Sequence, residues 1–156
     1  NYHDPVAGRA AVQVLEHNGV EVAYPEEQMC CGMPILDGGD LDAVEANVRR
    51  NVEVLQPWIA RGYHVVIPSP SCSLVVREDY PQLLRDPRSG ELASHSFDLC
   101  DYIYRIAREG RLKRDFKRRL AAVKYHAACH LRVQNIGFRG RDLLKLIAAE
   151  VEMVQE

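Results

Sequence analysis

Apolar residues recur at steps of three and four along two stretches of the chain, and this period predicts two amphipathic helices. The first begins at Asp4-Pro5, where an N-cap carboxylate precedes the residue favoured at the first helical position, and it ends near Asn18-Gly19. The second ends near Arg61-Gly62 and places six apolar side chains on one face: Leu41, Val44, Val48, Val52, Leu55 and Ile59. Both helices should pack against a core.

Short apolar runs between the helical patterns predict strands at 20–24 (VEVAY), 64–68 (HVVIP) and 151–154 (VEMV), and the segment 122–130 (AVKYHAACH) predicts a strand followed by a turn. Strands that alternate with helices indicate an α/β fold, in which helices cover a parallel sheet in Rossmann-like layers. In such folds ligands bind beyond the carboxyl ends of the strands. The turns that follow the strands at 20–24 and 64–68 both carry cysteine, so we expect them on the same edge of the sheet.

Further helices are predicted from Ser71, as an N-cap, toward Tyr80-Pro81, from Ser96 onward, and over about 139–149. Residues 85–95 (RDPRSGELASH) predict a polar loop, because they show no apolar period. A basic segment, 111–119 (RLKRDFKRR), is typical of a solvated helix or linker, and its alternative interpretation is a docking surface for an anionic partner.

The amino-acid composition is that of an ordinary globular protein. Hydrophobic residues make up 47% of the 156 residues, charged residues 27%, and the formal net charge is -2. These ordinary globular proportions give no general attraction to nucleic acid. No apolar run approaches the length of a bilayer span, and the first residues lack the pattern of a secretory signal peptide. We therefore expect a cytoplasmic protein with no nucleic-acid partner, and the start at Asn1 suggests a piece of a longer chain.

Five cysteines, an odd number, fit a secreted disulfide framework poorly and favour metal binding or redox chemistry. Cys30 and Cys31 are sequence neighbours, and a disulfide between neighbours is strained, so they should act as two separate thiols. Gly32 lets the backbone approach a bulky inorganic group. Cys72 lies at the start of a predicted helix, where free N–H groups and the helix dipole favour a thiolate.

Three motifs resemble the CCG-type cysteine-rich domain: CCGMP at 30–34, SPSCSLVVREDYP at 69–81 and YHAACHLRVQNIG at 125–137. This domain occurs twice in the iron–sulfur subunit of anaerobic glycerol-3-phosphate dehydrogenase. Similar domains occur in the iron–sulfur subunits of glycolate oxidase and of lactate-utilisation systems, and in heterodisulfide reductase. The three motifs occur in the family's order and cover nearly the whole chain.

The resemblance implies an electron-transfer module that holds an iron–sulfur cluster, of the 4Fe-4S type or of the non-cubane form of the heterodisulfide reductases. Cys30, Cys31 and Cys72 match its metal ligands, Gly32 belongs to the cluster-binding turn, and Cys129 matches the first cysteine of the second repeat. The implied partners are a flavoprotein dehydrogenase subunit and a membrane anchor or quinone-linked acceptor. The protein would then be cytoplasmic, peripheral on the inner face of the membrane through those partners.

Two positions depart from the family pattern. Ser69 stands where the first cysteine of a C-x-x-C would be, which favours the glycerol-phosphate type of subunit, and the leading cysteine would fall before Asn1. We therefore predict a first CCG domain over 1–121 and the start of a second, truncated repeat over 122–156. The chain can also be expected to fold without its cluster.

Other interpretations remain open. A thiol–disulfide redox protein would use Cys30, Cys31 and Cys72, and a cluster-free scaffold would serve subunit docking. His126, Cys129 and His130 suggest zinc, although a closed zinc site needs about four ligands and no second pair is visible. Cys100 is predicted to lie in the core. No acid–base pair or nucleophilic triad can be identified, so a non-catalytic electron-transfer subunit of an oxidoreductase is expected.

Overall fold

The computed structural model describes residues 4–154, and it confirms the prediction of an α/β fold with parallel strands. Nine α-helices and four strands are formed within those residues. The helices are α1 (Pro5–His17), α2 (Met33–Asp37), α3 (Leu41–Ile59), α4 (Pro70–Leu74), α5 (Tyr80–Leu83), α6 (Pro87–Ser94), α7 (Leu99–Arg108), α8 (Cys129–Val133) and α9 (Arg139–Leu144). A π-helical segment, Val75–Asp79, joins α4 to α5.

The strands form two separate two-stranded parallel sheets rather than one continuous sheet. In one, β1 (Val65–Ile67) pairs with β2 (Ser96–Asp98), and in the other, β3 (Leu120–Tyr125) pairs with β4 (Ala148–Met153). The predicted strand at 20–24 is wrong, because those residues take no part in a sheet. Cys72 and Cys129 therefore follow strands, whereas Cys30 and Cys31 do not.

The chain divides into two compact units. The middle unit comprises Ala23–Asp98, and the outer unit comprises the chain before and after it, up to Val22 and from Leu99 onward. The domain boundary near residue 121 stays a prediction, since the units reflect packing and not sequence repeats. Within the part of the chain described, no helix combines the length and apolar character that crossing a bilayer requires.

Helix α3 supplies one wall of the core of the middle unit. Five of the six apolar residues predicted for one face are buried there: Val44, Val48, Val52, Leu55 and Ile59. Leu41 was expected with them but is 59% exposed, because it is the first residue of the helix. Burying such a side chain contributes about 1.5–3 kcal/mol relative to leaving it exposed, so each of these five residues stabilises the core of the unit.

Four local predictions need correction. The helix expected over about 139–149 ends at Leu144, because Ala148–Met153 form β4. Ser69, not Ser71, is the N-cap of α4, with Pro70 at the first helical position. The predicted loop at 85–95 contains α6, whose N-cap Asp86 accepts a hydrogen bond from the Arg88 amide at 2.9 Å. The helix expected from Ser96 begins only at Leu99, because 96–98 form β2.

Candidate metal centre

Cys31 and Cys72 lie with their sulfur atoms 3.1 Å apart. Cys72 is in the first turn of α4, directly beyond the carboxyl end of β1, and Cys31 ends the segment that leads into α2. Both thiols are partly buried, and both belong to the middle unit. Forty-one positions of sequence separate them, so the fold, and not a local motif, creates the pair.

The two thiols differ in pKa, and the cause is the hydrogen bond between them. The Cys31 thiol donates to the Cys72 sulfur, and this bond, followed by one from the Ser69 hydroxyl, lowers the pKa of Cys72 to about 6. The pKa of Cys31 is raised, first because its proton is held by Cys72 and second because the group is buried. Cys72 is thus the natural thiolate of the pair, which is the form in which cysteine binds metals and attacks electrophiles.

Ser69 has a part in this arrangement that its position in the sequence did not reveal. It is the N-cap residue of α4, yet its side chain makes no capping hydrogen bond to the helix and is hydrogen-bonded to the Cys72 sulfur instead. A hydroxyl is not ionised at neutral pH, so Ser69 acts here as a hydrogen-bond donor to a neighbouring sulfur. The position that holds a cysteine in the C-x-x-C pattern therefore supports a thiolate without supplying one.

Gly32 shapes the turn between the thiol pair and α2. Its backbone has a φ of 93°, in the left-handed region where only glycine is unstrained. A Cβ built there would lie 2.6 Å from the Cγ2 atom of Val44, which is fully buried in α3. Glycine is thus required both for the backbone conformation and for close packing against the core helix.

Two buried asparagines of α3 fix the backbone at the thiol pair. The Asn51 side chain accepts from the Met29 amide at 2.7 Å and donates to the Cys30 carbonyl at 3.3 Å and to the Tyr80 hydroxyl at 2.9 Å. Asn47 donates to the same Cys30 carbonyl, also at 3.3 Å. Both side chains are more than 90% buried, where polar groups are stable only when hydrogen-bonded. Their amides therefore hold the loop in one conformation.

Tyr80 completes this network from the other side. It is fully buried, and its hydroxyl donates to the Cys31 carbonyl at 3.1 Å while accepting from Asn51. The pKa of Tyr80 is raised, mainly by burial, so the group keeps its proton and remains a donor. The backbone carbonyls of both neighbouring cysteines are thus held by side chains from α3 and α5.

The motifs in the sequence do not point to three residues of this network, Asn47, Asn51 and Tyr80. A signal was present, because Asn47 and Asn51 fall among Val44, Val48 and Val52 on the apolar face of α3. A polar residue on the core-facing side of a helix needs a buried hydrogen-bond partner. The pattern therefore predicts such a bond, but it does not identify the partner. Here the partners are the carbonyl of Cys30 and the amide of Met29.

The remaining predicted ligands are placed differently. Cys30 is exposed, although its backbone carbonyl accepts hydrogen bonds from Asn47 and Asn51. Cys129 is also exposed and is the first residue of α8 in the outer unit. Cys100, expected in the core, is only partly buried in α7. Across residues 4–154, no group of three or more cysteine, histidine or acidic side chains is arranged to hold a metal ion, and this includes His126, Cys129 and His130.

The chemistry of the converging residues fits an iron–sulfur cluster. Thiolates are the usual ligands of such clusters, and hydrogen bonds to sulfur are one means by which proteins tune them. The middle unit offers two thiols in contact, a third on the adjacent residue and a donor to one sulfur from Ser69. Cysteine sulfur is the ligand atom that such a cluster requires. A complete set of ligands also requires that the Cys30 side chain turn toward Cys31 and Cys72, or that other residues supply further ligands.

Comparison with known proteins places these residues in a family. Residues 1–77 match the model of the CCG cysteine-rich domain. The chain is 33% identical to lactate utilization protein A of Exiguobacterium sp., over 81% of this chain and 51% of the relative. It is 31% identical to the protein of that name from Bacillus licheniformis, over 80% of this chain and 51% of the relative. It is 35% identical to the one from Bacillus subtilis, over 64% of this chain and 42% of the relative.

The chain thus spans about half the length of these relatives. No solved structure matches it. The matched segment contains the paired cysteines, Gly32 and Cys72, which are the residues around which the thiol pair is built. This chain therefore carries a cysteine-rich domain of the CCG family.

Proposed function

We propose that this chain is an iron–sulfur electron-transfer module of a multi-subunit oxidoreductase. The observation that carries the proposal is the 3.1 Å approach of the Cys31 and Cys72 sulfur atoms, created by residues far apart in sequence and supported by a buried polar network. Thiols arranged to ligate a metal need their backbone fixed.

Cys30, Cys31 and Cys72 are the residues of this unit that would hold the cluster. A bound cluster supplies one-electron oxidation and reduction. The protein's own contribution is to fix the ligands: Asn47, Asn51 and Tyr80 hold the carbonyls of the paired cysteines. Cys129, in the outer unit, is proposed as a ligand of a second repeat.

The relatives are named for lactate utilization, which favours lactate over glycerol 3-phosphate or glycolate as the substrate of the partner dehydrogenase. On this proposal a flavoprotein subunit oxidises the substrate, and this module passes single electrons toward quinone or another acceptor. The module itself performs no chemistry on the substrate. We place it in the cytoplasm, peripheral on the membrane through its partners.

The experiment is to prepare the chain without oxygen, supply iron and sulfide, and record the visible and electron paramagnetic resonance spectra before and after reduction with dithionite. We expect a brown protein whose absorption bleaches on reduction, and we expect the signal to be lost in Cys72→Ser. Cys100→Ser is the matched control, since this cysteine lies in the outer unit. A spectrum that dithionite does not change would contradict electron transfer.

The same 3.1 Å distance favours a second candidate function, reversible disulfide chemistry. The Cys72 thiolate would attack a disulfide substrate, and Cys31 would resolve the mixed disulfide, so that two thiols are oxidised as one disulfide is reduced. Treatment of the metal-free protein with oxidised glutathione, followed by peptide mapping, tests this candidate. A Cys31–Cys72 disulfide that turns over with a thiol reductant supports it, and stable free thiols exclude it.

A further inference from the structure

A cavity of about 460 Å³, open to solvent on one side, is formed by residues of the outer unit, and none of the residues of the thiol pair lines it. It is lined by five residues of α7 and its C-terminal end and by one residue of α9: Asp101, Tyr104, Arg105, Arg108, Glu109 and Arg139. Cavities of about 300–1,000 Å³ are typical of sites for small molecules. Three guanidinium groups line this volume.

Asp101 organises two of these arginines. It is 96% buried, and its two carboxylate oxygens accept hydrogen bonds from different residues: Oδ2 from Arg105 Nε at 3.0 Å and Oδ1 from Arg139 Nε at 3.2 Å. A buried carboxylate is costly unless it is paired, so this group is held firmly and in turn holds both guanidiniums at the cavity wall.

Arg139 is fixed from a second side. Its guanidinium lies over the Tyr104 ring, with 4.3 Å between the guanidinium carbon and the ring centroid. Its Nε is used by Asp101, which leaves the two Nη groups as the donors for a ligand. Paired donors in a rigid plane match the oxygens of a carboxylate or phosphate, and the Tyr104 contact keeps that plane oriented before any ligand arrives.

The charges of the lining favour an anion. Arg105, Arg108 and Arg139 face two carboxylates, and one of these, Glu109, pairs at 3.0 Å with Arg111, which does not line the cavity. The other, Asp101, is shared by two arginines. Positive charge is therefore in excess within the cavity itself.

We propose that this cavity binds a small organic anion, whose carboxylate or phosphate group is held by Arg139 and Arg108. Asp101 and Tyr104 are positioning residues for Arg139. This site does not depend on the proposed function of the cysteines, because its residues belong to the other compact unit.

The test is a titration of the ¹⁵N-labelled chain with malonate, with inorganic phosphate and with chloride at matched ionic strength, followed by nuclear magnetic resonance. We expect saturable shifts of the amides of Tyr104 to Glu109 and of Arg139 with an oxyanion and not with chloride. Tighter saturation by malonate identifies a carboxylate ligand, and tighter saturation by phosphate identifies a phosphate.

Two variants change the site, and the first of them leaves both partners of Asp101, Arg105 and Arg139, in place. Arg108→Gln removes one charge, and Arg139→Lys keeps the charge but loses the paired donors, so each should weaken binding about tenfold. Arg114→Gln, at an exposed arginine outside the cavity, is the control and should bind as the wild type does. Shifts that chloride reproduces, or equal affinity in all three variants, would overturn the proposal.

Discussion

Replacing Tyr80 by Phe removes one oxygen atom from the support of the thiol pair. The Tyr80 hydroxyl donates to the Cys31 carbonyl at 3.1 Å and accepts from Asn51 at 2.9 Å, and the ring is fully buried. In Tyr80→Phe, Asn51 still has the Cys30 carbonyl as an acceptor. The Cys31 carbonyl loses its bond to the hydroxyl in a site where a replacement from water is hard to obtain.

A buried polar group left without its partner costs about 1–3 kcal/mol, and we expect the free energy of unfolding of the middle unit to fall by that amount. Trp58 is the single tryptophan and belongs to this unit, so its fluorescence during urea unfolding reports on the correct part of the chain. The backbone of Cys31 should also become less fixed, so a cluster loaded into the variant should be lost to a chelator faster than from the wild type.

Tyr24→Phe is the matched control, because Tyr24 lies in the same unit and is 59% exposed. Its unfolding free energy should stay within about 0.5 kcal/mol of the wild type, as is usual for surface substitutions. If Tyr80→Phe behaves like Tyr24→Phe in both measurements, the hydroxyl does not hold the Cys31 carbonyl, and the network is not a support for the site.

Further predictions concern the turn and the thiolate. Gly32→Ala should destabilise the middle unit more than Gly62→Ala in the same urea assay. Both positions have a positive φ, 93° and 88°, but only at Gly32 would a Cβ lie within 2.6 Å of a Val44 atom. Equal losses of unfolding free energy in the two variants would contradict the clash. In the reduced, metal-free protein, alkylation of Cys72 by iodoacetamide should rise as the pH is raised through about 6, since the thiolate forms above its pKa. Ser69→Ala removes a donor to that thiolate and should move the midpoint to higher pH, whereas a wild-type profile that rises only near the ordinary value of 9.0 would contradict the assigned thiolate.

The long periodic elements could be predicted from the sequence. Helix α3 buries the apolar stripe that its period indicates, and Asp4-Pro5 begins α1 with the Asp4 carboxylate accepting from the Ala7 amide at 3.0 Å. The same Asp-Pro signal stands at Asp86-Pro87 and begins α6. That helix was missed because its sequence is polar and shows little apolar period.

The short strands could not be assigned reliably from the sequence. A strand of three residues, such as Ser96–Asp98, has too few positions to show alternation, and its existence depends on pairing with Val65–Ile67. Residues 20–24 show the converse, because they alternate as a strand does but are not part of either sheet formed within residues 4–154. Strand formation depends on a distant neighbour, which local pattern does not reveal.

The candidate site divides in the same way. The paired cysteines, Gly32 and Cys72 are visible as motifs, and their residue types indicate metal or redox chemistry. The contact between Cys31 and Cys72, the donor role of Ser69 and the buried amides of α3 depend on how distant segments pack. The fold therefore determines which of two neighbouring thiols meets the third.

The central claim is that the thiols of the middle unit hold an iron–sulfur cluster, and its most direct test is the iron, zinc and acid-labile sulfide content of the chain prepared without oxygen. The wild type should contain iron and sulfide together, Cys31→Ser should lose both, and Cys100→Ser should retain them. Zinc without sulfide, or iron and sulfide that persist in Cys31→Ser, would contradict a cluster held by this thiol pair.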